Sequence, residues 1–184
     1  SREAALDYIR AVSPNGWHNG EEPLWAAFVD QAPKMLKFVE AHSPTRFNPN
    51  RDPDPYAEAP GGMAWGRNIS AAPIRIGQLG PWRDKIRPPT TDLRLSYEEI
   101  VDTALFAAPK KPMVRFLPRL LWRQLTGAHT RGKALVIGLL KGCLDHGVEI
   151  WPETSAQRLL TTDGRVMGIE VARAGRSVTI EAAK

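Results

Sequence analysis

The sequence has a single cysteine, Cys143, so it cannot form an internal disulfide. Because Cys143 stands among three leucines, we expect a small core side chain there rather than a reactive thiol. The longest apolar run, residues 134–140, is far shorter than the roughly 20 residues that cross a bilayer. These absences exclude a disulfide framework and predict a protein without a membrane span, in the reducing cytoplasm.

Self-sufficient catalytic motifs are also absent. The chain contains no glycine-rich phosphate loop, no paired-cysteine metal site and no nucleophile elbow. Its four histidines lie far apart and lack the spacing of metal ligands; they are His18, His42, His129 and His146. We therefore expect no metal site.

Acidic residues are missing from Thr103 to Leu144, a stretch that holds eight Lys or Arg in a chain of net charge +5. One hypothesis is therefore a basic binding module without catalysis, in which residues 110–133 dock on nucleic acid or an acidic protein. No nucleic-acid motif accompanies the charge, so nucleic acid is not the expected partner. The favoured interpretation is a solvated helix face beside an acidic domain.

The chain has the length of one domain, and 42% apolar with 24% charged residues is typical of a soluble globular protein. Two helices are predicted first, over Glu3–Val12 and from about Gly20 to His42, with a kink or break at Pro33. Nine prolines follow between Pro44 and Pro89. They predict long loops with a few short strands over residues 46–91.

Two further helices are expected in the middle of the chain. Ser96 with Glu98 and Glu99 predicts an N-capped helix that ends at the prolines 109 and 112. Pro118 suits the first turn of the next helix. That helix should turn a basic stripe to solvent, namely Arg115, Arg119 and Arg123.

The last third of the chain changes from helical to alternating periodicity. Gly132–His146 predicts a helix whose small residues Gly138 and Gly142 allow close packing against a sheet, and a strand should open at Val148–Ile150. Residues 155–182 alternate between apolar and polar around two tight turns, at positions 163–164 and 174–175. This pattern predicts a three-stranded antiparallel meander and hence an α+β fold.

Tyr56 precedes a glycine-rich segment, residues 60–67, that ends in Arg67. Glycines let a backbone approach a flat ligand closely, and an arginine can neutralise an anion. The same residues also suit a surface turn beside a half-buried tyrosine. The local pattern alone leaves both interpretations open.

Several segments, read in order, resemble the ketosteroid dehydrogenase branch of the fumarate reductase flavoprotein family. In the first half they are residues 4–11, 32–40, 54–62, 66–67 and 79–82. The last third is similar to the wider fumarate reductase and succinate dehydrogenase group in residues 132–135, 147–150, 154–156, 159–160 and 164–171. The shared order of these segments carries the resemblance, which is thin from Thr91 to Thr130.

The resemblance implies a piece of an α/β FAD-binding fold and FAD as cofactor. The backbone at Ala156 should hold the adenine end of FAD, and Gly61 and Gly62 should lie against the cofactor. Tyr56 should assist removal of hydrogen from a 3-ketosteroid-like substrate while the flavin accepts a hydride. The apolar walls for that substrate are expected from Trp65 and Phe116.

The resemblance also implies a division of the chain. Residues 1–90 should belong to the FAD-binding domain with its substrate-side loops, 91–130 to the start or remnant of a substrate-covering region, and 131–184 to the FAD-binding domain with the meander. The family's dinucleotide fingerprint and its later flavin-contacting glycines have no counterpart here. We therefore expect an interior fragment that needs the remainder of the FAD-binding domain as its partner and is inactive alone.

Overall fold

A computed structural model of the chain describes residues 1–14, 18–101 and 110–182. They form two compact units, Ser1–His146 and Gly147–Lys184. The order of elements is α1 (Arg2–Val12), α2 (His18–His42), β1 (Phe47–Pro49), β2 (Ile69–Ala71), β3 (Ile74–Arg75), a 3-10 segment (Ile76–Lys85), α3 (Tyr97–Val101), α4 (Lys110–Thr126), β4 (Ala128–His129), α5 (Arg131–Asp145), β5 (Thr154–Thr162), β6 (Arg165–Arg173) and β7 (Arg176–Glu181).

The two N-terminal helices form where the periodicity predicts them. The Ser1 side chain caps α1 by accepting a hydrogen bond from the backbone N–H of Ala4. Helix α2 continues without a break through Pro33, because a proline removes one backbone donor and the turns on either side keep theirs. Arg2 forms an ion pair with Asp30 at 2.6 Å, which links α1 to α2.

The main core of the first unit surrounds α5. Ile137 and Ala134 on this helix pack against Ala71, Ile74 and Leu79. Two short antiparallel pairs, β1 with β2 and β3 with β4, lie beside it. The Pro-rich middle contributes the short strands and loops that the sequence predicts, and they pack on α5.

The glycines of α5 allow a close approach, but to a turn and not to a sheet. A Cβ at Gly138 would lie 2.1 Å from Oγ1 of Thr45, and one at Gly142 would lie 2.7 Å from Cβ of Ser43. Gly138 and Gly142 therefore lie on the buried face of α5. Cys143 lies beside that face and is exposed, so the prediction of a core cysteine is wrong.

Helix α4 differs from its prediction in extent and in orientation. It starts at Lys110, which places Pro118 in its middle instead of its first turn and Pro112 inside the helix. The predicted end of the preceding helix at Pro109 lies outside the described residues. Phe116 is buried against Leu95, whereas three leucines of the same helix are more than half exposed: Leu117, Leu121 and Leu125.

The second unit is the predicted meander, with strand order β5-β6-β7. Both turns have positive φ at both central residues, 51° and 76° at Asp163-Gly164 and 49° and 74° at Ala174-Gly175, as hairpins with two-residue loops require. The strand expected at Val148–Ile150 does not form, because these residues pair with no described strand. Across the meander Leu159, Ile169 and Ile180 are in register and share one face.

Candidate functional site

Asp54 closes the loop that holds Tyr56. The carboxylate is 5% exposed, and its Oδ2 accepts a hydrogen bond of 2.9 Å from the backbone N–H of Met63. In return the N–H of Asp54 donates to the carbonyl of Met63 at 3.0 Å. The same Oδ2 lies 2.7 Å from Nη1 of Arg67, so the two ends of the loop are joined by an ion pair.

Arg67 in turn fastens the loop to α1. Its Nη2 donates to the carbonyl of Gly61 at 2.7 Å, and its guanidinium lies 4.7 Å from the centre of the Tyr8 ring. The hydroxyl of Tyr8 accepts a hydrogen bond of 3.3 Å from the backbone N–H of Tyr56. The backbone of Tyr56 is therefore anchored on both sides.

The side chain of Tyr56 takes no part in these anchoring contacts and is 57% exposed. Trp65, in the same loop, is 63% exposed. The structure thus brings Tyr56, Gly61, Gly62 and Trp65 together in one loop. Phe116 is not among them, since it lies on α4 in the small core around Leu95.

Close packing within the protein requires glycine at positions 61 and 62. Gly61 has φ of 75°, and a Cβ on it would lie 2.0 Å from the carbonyl oxygen of Ala4 on α1. A Cβ on Gly62 would lie 2.5 Å from the carbonyl oxygen of Ala57. Both glycines are required by contacts within the protein, and their contact with a cofactor stays a prediction.

Ala156 lies in the meander, on strand β5, and is exposed. Because β5 is at the edge of its sheet, the described residues leave the outer side of its backbone unpaired. The ladder to β6 is also irregular between Ala156 and Arg158, a β-bulge that leaves Gln157 out of register. Recognition of a flat heterocycle such as adenine needs free backbone donors and acceptors, and the edge of a sheet offers both.

The basic stripe of α4 does not face solvent as a whole. Arg123 is 7% exposed, and its Nη1 donates to Oε2 of Glu99 at 2.6 Å, while Arg119 donates to Oε1 at 2.5 Å. Ser96 completes the cluster through reciprocal hydrogen bonds with Glu99. The expectation of an outward stripe is wrong for Arg123, because a buried carboxylate on α3 requires a cation.

The carboxylate of Glu99 stays ionised. Burial is the largest single influence and raises its pKa, but hydrogen bonds from Arg123, Arg119 and Ser96 together outweigh it, so the pKa lies below its usual value. Two of the eight basic residues behind the binding-module hypothesis are thereby neutralised within the protein. A third, Lys141, pairs with Asp145 on its own helix.

A cavity of about 560 Å³ lies between the β1–β2 hairpin and the first turn of α5. The segment 52–55, which leads into Tyr56, forms part of its rim, where the Tyr97 hydroxyl donates to Asp52 at 2.8 Å. This hydrogen bond raises the pKa of Tyr97. Sequence reasoning missed the cavity, since Asn50, Ser70 and Arg131 come together from three distant segments without a shared motif.

The described residues include no helix with the length and the apolar character of a membrane span. They also contain no group of three or more His, Cys, Asp or Glu side chains able to hold a metal ion.

The whole chain, residues 1–184, matches the model of a family described as FAD binding domain. It is 30% identical to a 3-oxosteroid 1-dehydrogenase of Mycolicibacterium smegmatis, over 78% of this chain and 27% of the relative. It is 29% identical to a 4-oxocyclohexanecarboxylate 2-dehydrogenase of Sinomonas cyclohexanicum, over 98% of this chain and 31% of the relative.

Among solved structures the chain is similar to the 3-ketosteroid delta1-dehydrogenase of Sterolibacterium denitrificans, in complex with 1,4-androstadiene-3,17-dione. The TM-score is 0.80 at 24% identity, over 98% of this chain and 35% of that one. This likeness supports the fold. The chain spans about a third of the length of the relatives that it matches.

Proposed function

The chain belongs to the FAD binding domain family, and from that premise we propose that it is part of an FAD-dependent dehydrogenase that removes hydrogen from a carbon-carbon bond next to a ring ketone. The name of each curated relative above describes a dehydrogenase of a cyclic oxo compound. We favour a steroid-like ring system as the substrate. The observation that supports this most directly is the exposed Tyr56 side chain on a backbone held by Tyr8.

FAD supplies the hydride acceptor when it is bound. In this chain the outer edge of β5 at Ala156 would hold the adenine end through backbone groups. Gly61 and Gly62 would let the loop that holds Tyr56 pack closely against Ala4 and Ala57. Tyr56 would assist removal of the hydrogen that leaves the substrate ring as a proton, because its phenol is exposed while its backbone is held by Tyr8. The anchored loop supplies the fixed geometry that proton transfer needs.

Trp65 would add an apolar wall beside Tyr56, since it is in the same loop and largely exposed. A direct substrate contact for Phe116 would require its core to open, as it is 7% exposed. We retain the division into residues 1–90, 91–130 and 131–184 as a proposal for the whole protein. A cytoplasmic location likewise remains a proposal, based on the single cysteine.

The basic binding module gains no support from the geometry. Arg119 and Arg123 are engaged with Glu99, which leaves a smaller basic surface than the sequence indicates. Salt dependence separates the two functions, because binding driven by phosphate contacts weakens steeply as salt rises, whereas binding of an uncharged ketosteroid changes little.

The test is the visible absorption spectrum of the intact protein. We expect bound flavin, and bleaching of its colour when a 3-ketosteroid is added without oxygen. A protein that is colourless and does not take up added FAD would rule out the proposed function. A flavin that is bleached by 4-oxocyclohexanecarboxylate but not by the steroid would retain the chemistry and replace the substrate.

A further inference from the structure

The C-terminal ends of α2 and α5 bring two histidines together. His42 is the last residue of α2, and His146 caps the end of α5. The centres of their rings lie 5.6 Å apart, and both residues are exposed. The sequence predicts no metal site because its histidines lie far apart along the chain, yet folding places these two side by side.

Each of the two rings uses the same nitrogen within its own helix. Nδ1 of His42 lies 2.9 Å from the carbonyl oxygen of Phe38, and Nδ1 of His146 lies 2.8 Å from that of Gly142. A carbonyl oxygen can only accept a hydrogen bond, so both Nδ1 atoms carry the hydrogen and, in the neutral ring, Nε2 carries the lone pair. Histidines that bind metals are oriented in this way, with the other ring nitrogen donating to a carbonyl or a carboxylate.

The spacing of the rings fits one shared metal ion. A metal–nitrogen bond is about 2.1 Å and the nitrogen lies about 1.1 Å from the ring centre, so two rings at a tetrahedral angle have centres about 5.2 Å apart. Two rings on opposite sides of the ion would have centres about 6.4 Å apart. The observed distance of 5.6 Å lies between these limits.

Close packing of the helix ends fixes this spacing. A Cβ at Gly142 would lie 2.8 Å from the carbonyl oxygen of His42 and 2.7 Å from Cβ of Ser43, so only glycine allows α5 to approach the end of α2 this closely. The ring of Phe38 stacks on that of His42, with centres 4.2 Å apart. A metal ion would therefore meet two ligands that are already neighbours, which lowers the entropy cost of binding.

The position at two helix ends favours a cation. The C-terminal end of a helix carries partial negative charge, and both histidines lie at such an end. Since the described part of the chain contains no group of three or more His, Cys, Asp or Glu able to hold a metal, water would complete the coordination. Imidazole suits Zn²⁺, Cu²⁺ and Ni²⁺, whereas Mg²⁺ and Ca²⁺ prefer oxygen ligands.

We propose that His42 and His146 together bind one divalent transition-metal ion through Nε2 of each ring, and that the ion joins the ends of α2 and α5. This site is independent of the proposed function, because neither histidine belongs to the loop that holds Tyr56 or to the edge of β5.

Isothermal titration calorimetry of the intact protein with Cu²⁺ tests the site. We expect His42→Gln and His146→Gln each to weaken binding at least about tenfold, since each removes one ligand. The matched control is His18→Gln, at the opposite end of α2, which should leave the affinity unchanged. Equal affinity in all three variants would overturn the inference.

Electron paramagnetic resonance of the bound Cu²⁺ counts its nitrogen ligands in the unaltered protein, so it tests the site even if a substitution prevents folding. We expect coupling to two imidazole nitrogens in the parent protein and to one in each of the His42 and His146 variants. Coupling to a single nitrogen in the parent protein would overturn the inference. Loss of binding in Cys143→Ser would do the same, because it would assign the ion to the exposed thiol one turn before His146.

Discussion

Oδ2 of Asp54 lies 2.7 Å from Nη1 of Arg67, and the carboxylate is almost fully buried. Breaking a buried ion pair by removing one charge leaves the other uncompensated. We expect Asp54→Asn to lower the free energy of unfolding by about 3 kcal/mol. Urea denaturation of the intact protein measures this, with the exposed Glu58→Gln in the same loop as control. Equal stability of the two variants would contradict a supporting role for the pair.

Gly61 and Gly66 both have positive φ, but only Gly61 is crowded. A Cβ at Gly61 meets the backbone of Ala4, whereas a Cβ at Gly66 has no atom within 4 Å. We expect Gly66→Ala to cost about 1 kcal/mol for its conformation and Gly61→Ala at least about 2 kcal/mol more, since α1 must shift. Thermal unfolding of the two variants side by side checks the difference. Similar melting temperatures would mean that the loop does not pack on α1.

Arg119 and Arg123 share Glu99 unequally. The side chain of Arg123 is 8% exposed and that of Arg119 is 57% exposed. We therefore expect Arg123→Ala to destabilise the protein by about 3 kcal/mol and Arg119→Ala by less than about 1 kcal/mol. Chemical denaturation distinguishes the two variants, and the reverse order would contradict the burial of this cluster.

His129 is 3% exposed, and its pKa is lowered mainly by burial and also by the charge of Lys133, while Asp92 opposes the shift. Because the folded protein binds this proton less tightly than the unfolded chain does, unfolding takes up a proton in weak acid. Stability should therefore be complete above about pH 6.5 and fall below it, by at most about 1.4 kcal/mol per pH unit.

The corresponding variant is His129→Gln, which has no imidazole to protonate. Its free energy of unfolding should depend less on pH between about 6.5 and 5 than that of the parent protein. Denaturation curves collected across this range provide the comparison. Identical pH dependence in both proteins would assign the acid sensitivity to other groups.

Tyr56 has the exposure that direct contact with a substrate needs. If the proposed function holds, Tyr56→Phe in the intact, flavin-loaded protein should lower kcat by at least about a hundredfold with little change in KM. Glu58→Gln, two residues away and exposed, should leave kcat unchanged. Full activity of the Tyr56→Phe variant would assign the proton to another group.

Much of the local structure could be predicted from the sequence. The cap at Ser96, the end of α1 at Ser13 and both meander turns were all predicted at their observed positions. These features depend on residues within four positions of one another, where side-chain hydrogen bonds and glycine conformations act directly. The order of the family segments also predicted the FAD-binding family.

The candidate site could be predicted only in part. The loop from Asp54 to Arg67 was singled out by its glycines, but the ion pair that closes it and the anchor on Tyr8 were not. The cavity lined by Asn50 and Ser70 has no local signal, because its members become neighbours only when the hairpin packs against α5.

Short-range patterns, or their order along the chain, are enough to predict the two N-terminal helices, α5, the turns, the meander and the family of this protein. Which faces are buried depends instead on contacts between distant parts of the chain. Arg123 lies inside and Leu125 outside because Glu99, 24 residues before Arg123, is buried and requires a cation. Burial depends on which distant groups meet, and periodicity along one helix does not contain that information.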